Sequence, residues 1–105
     1  MAGSVIIGNN TGVAFNSRGF DLVVELTRNV LKASAPDLID TVYESMDVEY
    51  MSFISLDTLD GTDLERFHVA TKKALLDWKQ DNSEPFPEWD ELIDKLEADE
   101  RLKQI

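Results

Sequence analysis

The sequence predicts a small α+β domain: one small, mainly antiparallel sheet with about four helices packed on it, in the order ββααβαα. Three observations predict it. Two short runs rich in Val, Ile and Phe, Ser4 to Gly8 and Gly12 to Phe15, flank an Asn9-Asn10-Thr11 turn. Four longer segments repeat apolar residues at helical spacing, and one stretch, Val48 to Leu56, alternates instead. At 105 residues and 43% apolar, the chain is long enough for one core, so residues 1–105 are expected to form a single domain.

The first two runs read as a hairpin, because Asn and Gly tolerate the positive φ that tight turns need. Asn16 or Ser17 then caps a helix to about Ala33. Phe20, Val23, Val24, Thr27, Val30 and Leu31 fall on one side of it, and Asp21, Glu25, Arg28 and Lys32 on the other. Ser34 is the expected cap of a second helix with Pro36 in its first turn. Leu38, Ile39, Val42, Tyr43 and Met46 make its apolar arc; Asp37, Asp40 and Glu44 form an acidic ridge opposite.

Val48 to Leu56 is expected to be a strand, with Val48, Tyr50, Ile54 and Leu56 on one face and Met51 and Phe53 on the other. Thr62 and Glu65 match a capping box for a helix to about Gln80, whose arc is Leu64, Phe67, Thr71, Leu75 and Trp78. Asp81 to Pro87 holds two of the three prolines and reads as a loop. A last helix, Pro87 to about Ala98, buries Trp89, Leu92, Ile93 and Leu96. Leu102 leaves that stripe, which predicts a fraying tail.

Charge is the feature that points outward. Between Lys32 and Arg66 there is no base, yet Asp37, Asp40, Glu44, Asp47, Glu49, Asp57, Asp60, Asp63 and Glu65 all lie there. Net charge is -11. Acids on helices usually alternate with Lys or Arg, which removes self-repulsion. A surface without that alternation projects a field that favours basic partners. It disfavours direct binding to nucleic acid or to an anionic membrane surface, both of which need Lys and Arg. With no cysteine, disulfides and thiolate chemistry are excluded. Val5 to Ile7 is too short for a signal-peptide core and no segment is long enough to span a bilayer, so a cytoplasmic protein is expected.

Catalytic readings find little support. His68, the only histidine, has no readable nucleophile or orienting partner, so a half-buried structural role is the stronger reading. Counted from Asp57, the sixth and twelfth positions are Thr62 and His68, which breaks the calcium-loop pattern. Gly8 to Gly12 lacks the Lys and spacing of a phosphate loop. Carboxylate pairs for glycoside hydrolysis need a deep cleft, which a domain this small rarely builds. No catalytic residue, metal site or cofactor is expected. The aromatic residues Tyr43, Tyr50, Trp78 and Trp89 offer themselves as anchors for a partner, with both tryptophans reading better as core.

In its size, its acidity and its lack of catalytic residues, the chain resembles the small immunity proteins of bacterial toxin systems, including those of contact-dependent growth inhibition. The stretches FISLDTLDGTDLERF and FPEWDELIDKLEADERL share that character. The resemblance implies a cytosolic inhibitor of one cognate toxin domain. It carries over no functional residue and does not fix the fold, because such proteins differ widely in fold. A nuclease is the target class that acidity suits, since its groove must be positive to hold nucleic acid. The expected partner surface is Asp37, Asp40, Glu44, Asp47, Glu49, Asp57 and Asp60. The alternative is a non-catalytic regulatory or scaffold module that recruits a basic protein; a solvated face that only aids solubility is the bland reading of the same acids. A monomer is the expected state.

Overall fold

A computed structural model describes residues 3–8, 10–49 and 51–103. The hairpin is β1 (Gly3–Gly8) and β2 (Thr11–Phe15). Asn10 takes the left-handed conformation, φ 63°, that closes the turn. Helix α1 (Ser17–Ser34) follows, capped by the Asn16 side chain, which accepts the Gly19 N–H at 2.7 Å. Next come α2 (Pro36–Val42), the four-residue α3 (Glu44–Asp47) and a third strand, β3 (Phe53–Ser55). Then α4 (Gly61–Asp81), α5 (Pro87–Glu97) and α6 (Glu100–Lys103) complete the chain.

The α+β class holds, and the sheet is mixed. Its order is β2-β1-β3, with β1 and β2 antiparallel and β3 joining β1 in parallel. The three intervening helices carry the chain back to the end at which β1 began, and a strand entered from there runs parallel. Val5, Ile7, Val13, Phe15, Ile54 and Leu56 point into one core with the apolar faces of α1, α4 and α5. Inside it, Thr71 Oγ1 lies 3.0 Å from Thr27 Oγ1 and accepts the Trp89 indole N–H at 2.9 Å, which satisfies three buried polar groups across three helices.

Several local expectations are corrected. Ser34 ends α1 instead of capping α2; its hydroxyl donates to the Val30 carbonyl, and Ala35 makes the break. The second helix stops at Tyr43, whose side chain is fully buried and donates to the Val24 carbonyl at 3.0 Å. The predicted strand Val48 to Leu56 shrinks to three residues. The Val48 N–H is used by the Glu44 carbonyl and the Met51 N–H by Ser45, so this stretch closes a helical turn before the sheet begins. Tyr50 lies outside the described residues.

The start of α4 is also displaced. Asp60 is the cap, its Oδ1 accepting the Asp63 N–H at 2.9 Å, while Thr62 is exposed inside the first turn. A carboxylate makes a charge-assisted bond to that N–H and meets the positive helix end, which a hydroxyl cannot match. The tail does not fray within the described residues: α6 is tied back by Arg101. Its guanidinium donates to the carbonyls of Ile7 at 2.7 Å, Leu56 at 2.9 Å and Leu59 at 2.8 Å, and to the Asp99 carboxylate.

Candidate partner-binding surface

The seven acids proposed from sequence divide by what each one touches. Asp37, in the first turn of α2, receives a two-pronged bond from Arg66 of α4, at 2.7 and 3.0 Å. Arg66 also reaches Asp63 at 3.0 Å. The hydrogen bonds from Arg66 to Asp37 hold the Asp37 carboxyl below the usual carboxylate range, and the two acids push the guanidinium up. Asp47, at the end of α3, is held by Arg28 of α1, whose Nη2 donates to both carboxylate oxygens at 2.8 and 2.9 Å. The Arg28 guanidinium carbon lies over the Tyr43 ring, 4.2 Å from its centre, and burial raises the phenol well above its ordinary value. Arg28 therefore does not stand on the solvated face that its spacing suggested.

The other five carry no ion pair among the described residues. Asp40 and Glu44 are exposed on α2 and α3, and Glu49 is exposed in the turn that follows. Asp57 is exposed just beyond β3, its Oδ1 3.9 Å from the point a Cβ on Gly8 would occupy. Asp60 is exposed and serves as the α4 cap. The ridge at 37, 40 and 44 thus has one base on it, supplied from 29 residues away in sequence.

Two residues in this region were missed by the sequence reading. Val48 is 67% exposed and Met51 48% exposed, between and beside the acids. Both were assigned to strand faces. The one available signal was the helical spacing of Glu44 and Val48, which competes with the alternation that follows. The aromatic anchors behave differently. Tyr43 and Trp89 are core, Trp78 is half-buried against Phe86 with ring centres 5.3 Å apart, and Tyr50 is not among the described residues.

His68 bridges α4 to α5. Its Nε2 lies 3.1 Å from Glu97 Oε2, and its side chain is only 12% exposed. Lys72 and His68 together lower the Glu97 carboxyl. Among the described residues His68 Nδ1 has no hydrogen-bond partner, and the Glu65 carboxylate stands 3.8 Å away. Among the described residues no group of three or more His, Asp or Glu is arranged to hold a metal ion, and no helix is long and apolar enough to cross a membrane.

No family model matches the chain. The immunity protein CdiI of Burkholderia pseudomallei is 32% identical to it over 104 residues, which is 97% of this chain and 95% of that protein. In three dimensions it is similar to a chain of the solved complex of a CdiA-CT toxin from Burkholderia pseudomallei with its cognate CdiI immunity protein. The TM-score is 0.85 at 31% identity, covering 95% of this chain and 98% of that one. With agreement in sequence and in fold along nearly its whole length, the chain belongs to the CdiI immunity proteins, which are inhibitors and not enzymes.

Proposed function

We propose that this protein binds one cognate toxin domain in the cytoplasm and neutralises it, and that the target is a basic domain, a nuclease, whose active-site groove the immunity protein masks. The observation that carries the reading is the base-free stretch from Pro36 to Asp60, where Asp40, Glu44, Glu49, Asp57 and Asp60 are exposed and carry no ion pair among the described residues. A groove built to hold phosphates is lined by Lys and Arg, and a carboxylate surface can stand where the phosphates would. Opposite fields also steer encounter toward about 10⁸–10⁹ M⁻¹s⁻¹ at low salt, which suits an inhibitor that must act before damage occurs. The similar CdiI was solved with its cognate toxin, which supports a toxin domain as the partner class.

The test uses the toxin domain encoded beside this chain's gene. Its nuclease activity is measured against increasing amounts of this protein. The reading expects activity to vanish at one-to-one stoichiometry, with substrate competing for the same surface. A toxin that binds the chain yet remains fully active on nucleic acid would remove active-site masking, and a toxin without nuclease activity would remove the substrate class.

A further inference from the structure

Among the described residues the large helices lie on one face of the sheet and none packs on the other, which we call the open face. The pairing arranges that open face in two rows. Ala14, Ser4 and Phe53 stand side by side across β2, β1 and β3, and Gly12, Ile6 and Ser55 form the next row. The residues between these rows, Val13, Val5 and Ile54, are buried on the helix side. Each open row therefore holds one large apolar side chain between or beside residues no bigger than Ser or Ala. Gly12 is part of the shape: a Cβ there would come within 2.9 Å of the Val5 carbonyl oxygen. The result is a shallow concavity of about 380 Å³ running from Ser4 to Gly8 along β1 and from Asn10 to Ala14 along the hairpin, with no helix residue in its wall.

The border of this face is apolar and acidic at once. Met51 leads into β3 two residues before Phe53, and Val48 precedes it; both are exposed. The Ser4 N–H bonds the Ser52 carbonyl at 3.1 Å, which fastens this stretch to the start of β1. At the far end of β1 the Asp57 carboxylate sits beside Gly8. Glu44 and Glu49 flank Val48 in sequence and are exposed without an ion pair among the described residues. An apolar centre with a charged rim is the anatomy of a specific protein interface, and methionine is enriched at such centres.

We propose that the open face of the sheet, extended by Met51 and Val48, is where the basic partner is seated. Ile6, Phe53 and Met51 form the desolvated centre; Glu44, Glu49 and Asp57 form the rim that meets the partner's Lys and Arg. This rests on the function proposed above and adds the location. It also assigns different work to the two classes of residue. The rim acids set the association rate, and the apolar centre sets the lifetime of the complex.

The experiment follows dissociation from the purified, inactivated toxin domain encoded beside this chain's gene. Ala14→Gln and Met51→Ser change the open face without altering charge, and both positions are exposed, so the fold should tolerate them. Together they are expected to raise the dissociation rate about tenfold or more, with association changed much less. Val69→Ser and Leu76→Ser alter the other exposed apolar pair, on α4, and are expected to change neither rate. A measurement on the unmodified chain stands beside the variants: peroxide oxidation of Met51 should slow severalfold in the complex relative to the free protein. Wild-type binding with unchanged dissociation in the sheet variant, or with Met51 equally oxidised, overturns the location and leaves the function standing. A wild-type chain that does not bind the toxin overturns the function, and this inference with it.

Discussion

From Gly61 to Lys103 acids are interleaved with bases; from Pro36 to Asp60 the sequence holds no base at all. In the first region Lys72 reaches Glu97, Lys73 reaches Asp77, Lys79 reaches Asp90, Lys95 reaches Glu91 and Arg101 reaches Asp99. In the second, Asp37 and Asp47 are the acids with an ion pair among the described residues, each to an arginine from another helix. The difference separates two uses of one residue type. An acid beside an arginine fixes the placement of one element on another. An acid left alone adds to a field that acts on what lies outside. Net charge does not distinguish them; the partner list does.

The largest expected effect tests the matched region at Arg101. Arg101→Ala removes three donors from backbone carbonyls at the ends of β1 and β3 and from the loop after β3. We expect a loss of about 2–4 kcal/mol in denaturant unfolding, because those carbonyls keep their desolvation and lose their partner. Arg101→Lys should recover only part of it, since a point charge cannot span the fork. Next is Thr71→Val, which leaves the Trp89 N–H and the Thr27 hydroxyl without their shared partner and is expected to cost about 1–3 kcal/mol.

A smaller effect sharpens the boundary between the regions. Asp60→Ala should destabilise by about 0.5–2 kcal/mol through loss of the α4 cap, whereas Thr62→Ala should stay within about 0.5 kcal/mol. An equal loss in both would return the helix start to Thr62. The pH dependence has a definite sign. Hydrogen bonds from Arg101 and Arg66 lower the Asp99 and Asp37 carboxyls below their unfolded values, against the opposing effect of desolvation. Their contribution is therefore present above the unfolded carboxylate pKa of about 3.9 and is lost as pH falls through the lower folded values. Acid titration should show the stability gap between wild type and Arg101→Ala narrowing below about pH 4.

Legibility in the sequence followed the range of the interaction. The helix Pro87–Glu97 and its four buried residues were readable, as was the Asn16 cap, because periodicity and capping act within a turn or two. The α+β class followed from counting such elements. The parallel entry of β3 was not readable, since it depends on where three helices return the chain. Thr62 and Asp60 both offered cap chemistry two residues apart, and local pattern alone did not rank a carboxylate above a hydroxyl. Of the candidate surface, the acids themselves were plain. What sorted them was not: Arg66 lies 29 residues from Asp37 and Arg28 lies 19 from Asp47, distances at which sequence carries no signal. Leu102 was expected to mark a loose end because the pin, Arg101, acts on carbonyls 42 to 94 residues away.

The central claim is that the unmatched acids between Pro36 and Asp60, and not the matched ones, recruit the partner. Stopped-flow association with the inactivated toxin domain, at several ionic strengths, tests it most directly. Asp40→Asn, Glu44→Gln and Glu49→Gln together should slow association about tenfold or more at low salt and flatten its salt dependence, with the melting temperature held or raised by relief of repulsion. Lys73→Gln with Asp77→Asn, which removes a matched pair, should leave both association rate and salt slope unchanged. If the acidic triple variant associates as fast as wild type and with the same salt slope, the unmatched acids are a solvated face and the account fails.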